Sequence, residues 1–216
     1  VSAGLGGTGT PMAPLPSGTG NLPARNLGGP LDTDAALQLA LHGRPRAIDV
    51  VRCETDGPDG DGVLTQRFVV MAGIGLDAQI MENTSDDLKK VIRSGAYALA
   101  AMENLGSPRM DLVLSLLDEA GQRRVERLRA RNLLVANGGR LPAGITLLPQ
   151  ARTDDGLLDI AAIDTVAGLA GWSSLARQVL PPYAAHYSES GRSLGRVVLR
   201  RGGGVAVQLS APALVE

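Results

Sequence analysis

The stretch RMDLVLSLLDEAGQRRVERLRARNLLVANGGR, Arg109–Arg140, decides the fold. Apolar and polar residues tend to alternate on both sides of the turn at Glu119 to Gln122. That pattern suits two strands of an antiparallel sheet with one wet face. Within it, Arg123–Asn132 is basic, its arginines alternating imperfectly with Val125, Leu128 and Ala130. A solvated strand face is the default reading, and a surface for anionic lipid headgroups is the minority one.

Working outward, RAIDVVRCE (Arg46–Glu54) and QRFVVMAGIG (Gln66–Gly75) read as strands flanking the polar turn TDGPDGDG, which predicts a hairpin. GITLLPQARTDDGLLDIAAID (Gly144–Asp164) reads as a strand, an irregular polar loop and a second strand. GRVVLRRGGGVAVQLSAP (Gly195–Pro212) reads as a final hairpin. Three helices are expected. Asp32–Gly43 places Leu37 and Leu41 on one face, with Asp32 or Thr33 as cap and Gly43 as stop. The others are Ser85–Leu105 and Thr165–Leu180, the latter ended by Pro181-Pro182. Six to eight strands with short turns make the chain α+β. Residues 47–216 form an antiparallel β-sandwich domain with helices, and residues 1–46 are the remnant of an α/β unit.

Bulk properties bound the function. The 216 residues carry 21 basic and 22 acidic side chains, so no global field draws the chain to nucleic acid or to an anionic membrane. Aromatic residues make up 2%, too few for base-stacking platforms. Cys53 is the sole cysteine, which excludes an internal disulfide and any multi-cysteine metal site and suits a reducing compartment. No apolar run approaches the roughly 18 residues that span a bilayer. The N-terminus lacks the basic region of a signal peptide.

Several motifs have bland readings. Gly4-Leu5-Gly6-Gly7-Thr8-Gly9 has no preceding strand, and Pro11 sits where a helix should begin. Gly73-Ile74-Gly75-Leu76-Asp77-Ala78 follows a strand, but no acidic residue stands at the ribose position of a dinucleotide site. The glycines of a tight turn explain Gly73 and Gly75 more simply. Asp56, Asp59 and Asp61 resemble a calcium loop without its twelfth-position Glu. His42 and His186 are isolated, and neither G-x-S-x-G nor a Gly-Lys pair occurs.

Two loops carry more. In PSGTGN, Gly18, Thr19, Gly20 and Asn21 can form a backbone nest for an anion, since glycine lets the main chain approach phosphate without a Cβ in the way. In ARTDDGLLD, Asp154 and Asp155 precede Gly156, and such a turn offers a carboxylate and main-chain carbonyls to a hard cation. Each alone is ordinary turn chemistry.

Taken in order, PMAPLPSGTGNLPARNLG, RAIDV, FVVMAGIGLDAQI and NLLVANGGRLPAGITLLPQARTDDGLLDI resemble the diacylglycerol kinase catalytic-domain family, in the style of its actinobacterial-type lipid kinases. The resemblance covers most of the chain and is weakest over 165–200. It implies an N-terminal α/β domain and a C-terminal β-sandwich domain sharing a cleft for ATP. It also implies transfer of the γ-phosphoryl of Mg-ATP to a lipid hydroxyl, diacylglycerol-like. Carried over by position, Gly18, Thr19, Gly20 and Asn21 contribute to ATP binding. Asp155 would ligate a structural Mg²⁺ with the carbonyls of Arg152 and Leu157, and Asp49 would join a polar network near the cleft. The lipid is the implied partner, and the location is cytoplasmic with peripheral contact at the inner membrane surface.

The chain departs from the family twice. The Gly-Gly-Asp-Gly-Thr signature is missing, and Gly6-Gly7-Thr8-Gly9-Thr10 only imitates it, so the first domain is expected to be incomplete. The exposed remnant is expected to be mobile or to associate, with a homodimer as one outcome. The acidic base expected after VAVQL falls at Ser210 to Pro212, where no residue can accept a proton near neutral pH. Little kinase activity is therefore expected of this chain alone. The rival readings are a non-catalytic β-sandwich module that binds lipid or a partner, and a dinucleotide enzyme using Gly73 and Gly75.

Overall fold

The computed structural model describes residues 2–18, 20–57, 60, 62–75, 109–141, 146–165, 195–213 and 215. Thr19, His186, Asp59, Asp61, the helix expected at 85–105 and all but the first residue of the one expected at 165–180 lie outside the described residues; Thr165 itself ends a strand.

The elements run α1 (Ser2–Leu5), α2 (Leu22–Asn26), α3 (Thr33–His42), β1 (Val51–Asp56), β2 (Val63–Phe68), β3 (Met71–Ile74), β4 (Met110–Leu117), β5 (Arg123–Ala130), β6 (Asn132–Ala136), β7 (Leu158–Thr165), β8 (Gly195–Gly202) and β9 (Gly204–Leu209). They form an α+β fold of three antiparallel sheets: the β1-β2 hairpin, a four-stranded sheet β3-β6-β7-β8 and a three-stranded sheet β5-β4-β9.

Strand alternation builds the core. On one face of the four-stranded sheet, Leu133, Ile160, Ala162 and Val198 pack against Leu112, Leu114 and Leu116 of β4. On its other face, Leu134, Ala136, Ala161 and Ile163 pack under Leu141, Leu147 and Leu148 of the connection after β6. Neighbours Leu133 and Leu134 thus serve two separate cores. Full burial of each leucine stabilises by about 1.5–3 kcal/mol.

Four expectations are corrected. Gln66–Gly75 is two strands, because the chain bends at Val69-Val70: β2 stays with β1, while β3 leaves for β6. Asn137 holds that bend by taking the Val70 carbonyl on its backbone N–H (2.7 Å) and the Val69 carbonyl on its side-chain amide (3.1 Å). Arg109–Arg140 contains three strands, since Arg131 breaks β5 from β6 and sends them to different sheets. Gly195–Pro212 is no hairpin, for β8 pairs with β7 and β9 with β4. At the crossing, Gly203 donates its N–H to the Leu117 carbonyl (2.9 Å), and a Cβ on Gly202 would collide with that same carbonyl. From the 144–164 segment only β7 forms a strand among the described residues, with Thr146 limited to a bridge to Arg140.

Helix α3 keeps its expected ends. Asp32 Oδ1 accepts the Ala35 N–H (2.9 Å), a cap worth about 1 kcal/mol, and Gly43 donates to the Leu39 carbonyl (2.7 Å). Its leucine face does not enter the core. Leu37, Leu39 and Leu41 are exposed, and only Ala36 is buried.

Candidate functional site

The Gly18–Asn21 loop is closed by its own last residue. Asn21 adopts φ 46°, making it the sole non-glycine residue with positive φ among the described residues. Asparagine tolerates that region because its short amide bonds locally. Here Asn21 Oδ1 accepts the Gly18 N–H (2.9 Å). The Gly20 carbonyl accepts from Arg25 Nε (2.9 Å), which ties the loop to the last turn of α2. The Gly18 N–H is therefore engaged within the loop.

Helix α2 carries the loop onto the β-sandwich. Asn26 Nδ2 donates to the Arg140 carbonyl (2.8 Å), and Asn26 Oδ1 accepts the Arg140 N–H (2.9 Å). Arg140 Nη1 returns to the Arg25 carbonyl (3.2 Å). Close approaches explain both Gly138 and Gly139. A Cβ on Gly138 would collide with the Asn26 amide, and one on Gly139 with the Leu148 carbonyl.

Asp49 joins the same end from a third direction. Its N–H donates to the Thr153 carbonyl (2.7 Å), and its Oδ2 accepts the Gly156 N–H (2.7 Å). Asn137, 1% exposed, donates its amide to the Asp49 carbonyl (3.2 Å). Arg46 reaches the Leu27 carbonyl (2.9 Å) and stands 4.0 Å from Asp154. The anion loop and the acidic turn thus meet through Asn26, Arg140, Asn137 and Asp49.

Within the turn, Asp155 Oδ1 accepts the Leu157 N–H (3.1 Å), and Oδ2 pairs with the Arg201 guanidinium. Gly156, at φ +70°, supplies the bend. Beneath them lies Asp159, almost fully buried, its Oδ2 3.8 Å from Arg201 Nε. Neither of these last two atoms has a hydrogen-bond partner. Burial pushes the Asp159 carboxyl above its ordinary value, opposed by Arg201 and reinforced by Asp155. Arg152 pairs with Asp154 (3.1 Å). Among the described residues, no three His, Cys, Asp or Glu side chains gather as metal ligands.

Other expected positions lie elsewhere. Ser210 donates its N–H to the Asp111 carbonyl (3.1 Å) at the far end of β9, whereas Gly204 begins that strand beside the Arg201 end. Six strand residues separate them, about 20 Å. The structure does not bring Ser210–Pro212 to the Asp155 turn. Gly73 and Gly75 lie at that far end too. Gly75 has φ +83°, and a Cβ there would strike the Arg131 carbonyl, so close backbone approach accounts for it. Asn132, with its amide turned to donate, bonds the Gly75 carbonyl (2.6 Å).

Sequence reading missed Asn26, Asn137 and Arg201. The two asparagines stand inside the quoted motifs ARNLG and VANGG, each beside glycines that make room for backbone contact. No local signal marks Arg201, whose partners lie far away in sequence.

Comparison with known proteins adds two family matches. Residues 69–180 match the model of the YegS C-terminal NAD kinase beta sandwich-like domain, and residues 1–53 match the diacylglycerol kinase catalytic domain. A Pseudomonas putida protein named "Probable lipid kinase YegS-like" is 34% identical over 160 residues, 74% of this chain and 49% of its own length. A protein of the same name from Pseudomonas fluorescens is 36% identical, covering 73% and 48%. The chain spans about half the length of these curated relatives. A crystal structure of a diacylglycerol kinase from Bacillus anthracis str. Sterne superposes with TM-score 0.57 at 20% identity, over 94% of this chain and 57% of that one, which shows a shared fold.

Proposed function

Because this chain belongs to the family of the YegS C-terminal NAD kinase beta sandwich-like domain, we propose that it is part of an ATP-dependent lipid kinase, which moves the γ-phosphoryl of Mg-ATP to the hydroxyl of a diacylglycerol-like lipid. The names of its relatives support that reaction class. In this reading, residues 1–46 descend from the ATP-binding domain, and residues 47–216 form the sandwich. Phosphoryl transfer needs chiefly positioning and charge neutralisation. Gly18, Thr19, Gly20 and Asn21 are the nucleotide loop, and Asp49 belongs to the polar network beside it.

One observation carries this reading. The Asn26–Arg140 pair and the Asp49–Gly156 hydrogen bond lock the Gly18–Asn21 loop and the Asp155 turn to one end of the sandwich, though more than a hundred residues separate them in sequence. A turn with no task beyond reversing the chain needs no such reciprocal ties.

The acidic turn fits a divalent cation in one respect. Arg201, which neutralises Asp155, has a second acceptor at hand in the unsatisfied Asp159 oxygen. Asp155 with the carbonyls of Arg152 and Leu157 would hold the ion, which would supply charge to brace the turn.

Ser210–Pro212 offers no general base, a loss that typically costs about 10²–10⁴ in rate. The chain is therefore expected to bind Mg-ATP and to turn over slowly. Calorimetry with Mg-ATP, together with radiolabelled-ATP assays on diacylglycerol, tests both parts. Saturable binding that weakens in Asn21→Ala supports the reading. No binding overturns it, and robust turnover overturns the role given to the missing acid.

A further inference from the structure

We propose that the outer face of the three-stranded sheet, centred on Arg123, Val125 and Arg127 of β5 with Leu117 of β4, docks this chain onto an anionic lipid bilayer. The choice of occupant rests on the lipid-kinase reading, while the surface itself is argued from its own chemistry.

Strand alternation creates the face. Leu112, Leu114 and Leu116 of β4 turn into the core, so Asp111, Val113, Ser115 and Leu117 turn outward. The antiparallel register sets Arg129 opposite Asp111, Arg127 opposite Val113, Val125 opposite Ser115 and Arg123 opposite Leu117. Three guanidiniums therefore share one sheet face with one carboxylate.

Their partners decide how much charge is left. Arg129 is paired with Asp111 (2.6 Å), which cancels it. Arg123 donates to the neutral Ser115 hydroxyl (2.7 Å) and keeps its charge. The Arg127 side chain, on the exposed side of β5, has no carboxylate paired with it among the described residues. Two uncompensated cations thus stand on one exposed strand, in a chain whose overall charge is −1.

The apolar part is equally exposed. Val125 is 63% accessible between the two arginines, and Leu117 is 44% accessible opposite Arg123. A groove of about 620 Å³ continues the face past Arg127 and Arg129 to Gln208 and Ser210. Cations around accessible aliphatic side chains complement a bilayer surface, where headgroups meet the former and the acyl boundary the latter. A nucleic acid would match the charge but not the aliphatic groups, and this face has no aromatic residue on which bases could stack. Solvated arginines that merely guard an edge strand against pairing make a different prediction, since they need no lipid.

The test is co-sedimentation with vesicles of phosphatidylcholine alone and of phosphatidylcholine mixed with phosphatidylglycerol, without nucleotide. Binding is expected only to the mixed vesicles, weakening as salt shortens the screening length. Each arginine lost should weaken partitioning about fivefold, so Arg123→Gln/Arg127→Gln should lower it about 30-fold. The single-charge control Arg44→Gln, on an exposed position away from the face, should bind as the parent does, whereas Arg127→Gln alone should weaken binding about fivefold. Three results overturn the inference: equal binding by the Arg123/Arg127 variant, binding independent of phosphatidylglycerol, or aggregation of that variant with unchanged vesicle affinity. So does RNA that competes with vesicles at stoichiometric amounts. Mg-ATP binding measured in parallel separates the two ideas. Its absence with vesicle binding intact sinks the kinase reading alone, and the reverse pattern sinks the docking face alone.

Discussion

Replacing Asn137 probes the junction on which the proposed site depends. Its side chain is 1% exposed and donates two hydrogen bonds, to the Asp49 and Val69 carbonyls. Asn137→Ala removes both donors and leaves two carbonyls short. Each bond contributes about 0.5–1.5 kcal/mol net, and stranded buried acceptors add to the loss, giving a cost of about 2–3 kcal/mol. For a 216-residue chain, that lowers Tm by about 4–12 °C. Asn137→Asp is the sharper variant. At neutral pH it sets a buried carboxylate against the two carbonyls, adding about 1–3 kcal/mol more. Only its protonated form can donate, so its folded-state pKa is raised above the unfolded one. By linkage, this variant must regain stability as pH falls through that raised value. Urea denaturation of the three proteins between pH 4 and pH 8 (roughly the range over which such a carboxyl titrates) gives the comparison. A loss under about 0.5 kcal/mol for Asn137→Ala, or an Asn137→Asp no worse at pH 7 and without a pH slope, would refute the bridging role.

Two carboxylates should show opposite pH slopes. Glu126 of β5 takes a bidentate pair from Arg200 of β8 (2.8 and 2.5 Å), which holds its carboxyl below the ordinary value of 4.5. Its contribution, about 0.5–1 kcal/mol for a half-exposed pair, is full above 4.5 and fades as pH falls through the depressed folded value. Glu126→Gln should therefore destabilise at pH 7 and match the parent in acid. Burial raises the Asp159 carboxyl above 3.8, so ionising it costs the folded state increasingly as pH rises through the raised value. Asp159→Asn should stabilise at pH 7 and show no gain below 3.8; destabilisation at pH 7 would mean that Arg201 outweighs desolvation. Glycine substitutions should differ in severity. Gly156→Ala meets open space at φ +70° and should cost about 1–2 kcal/mol, whereas Gly139→Ala drives a Cβ into the Leu148 carbonyl and should prevent normal folding. Circular dichroism melts separate the two.

The sequence made the strands legible where one face is wet and the other packed, as in β4, whose Leu112, Leu114 and Leu116 alternate into the core. It failed where partners change between neighbouring strands. Nothing local in RVVLRRGGGVAVQL says that its halves join different sheets, because that choice is made by β7 and β4 elsewhere in the chain. The bend at Val69-Val70 was hidden for the same reason, since Asn137 holds it from across the fold. Helix α3 shows the converse. Its caps were readable because they are local, but the fate of its leucines depends on what packs against them. At the site, the glycines and Asp155 stood out as turn chemistry, whereas Arg201 became visible only when β8 set it opposite Asp159.

The crossing at Gly203 also dictates an order of events during synthesis. Strand β4 emerges about a hundred residues before β9, yet β9 covers one of its two flanks. Until then the β4-β5 hairpin leaves the ribosome with one edge of β4 unpaired. Contacts so distant along the chain close slowly. The nascent protein must therefore shelter that margin, by chaperone or by haste, and a ribosome stalled shortly before Gly204 would release a chain prone to clump.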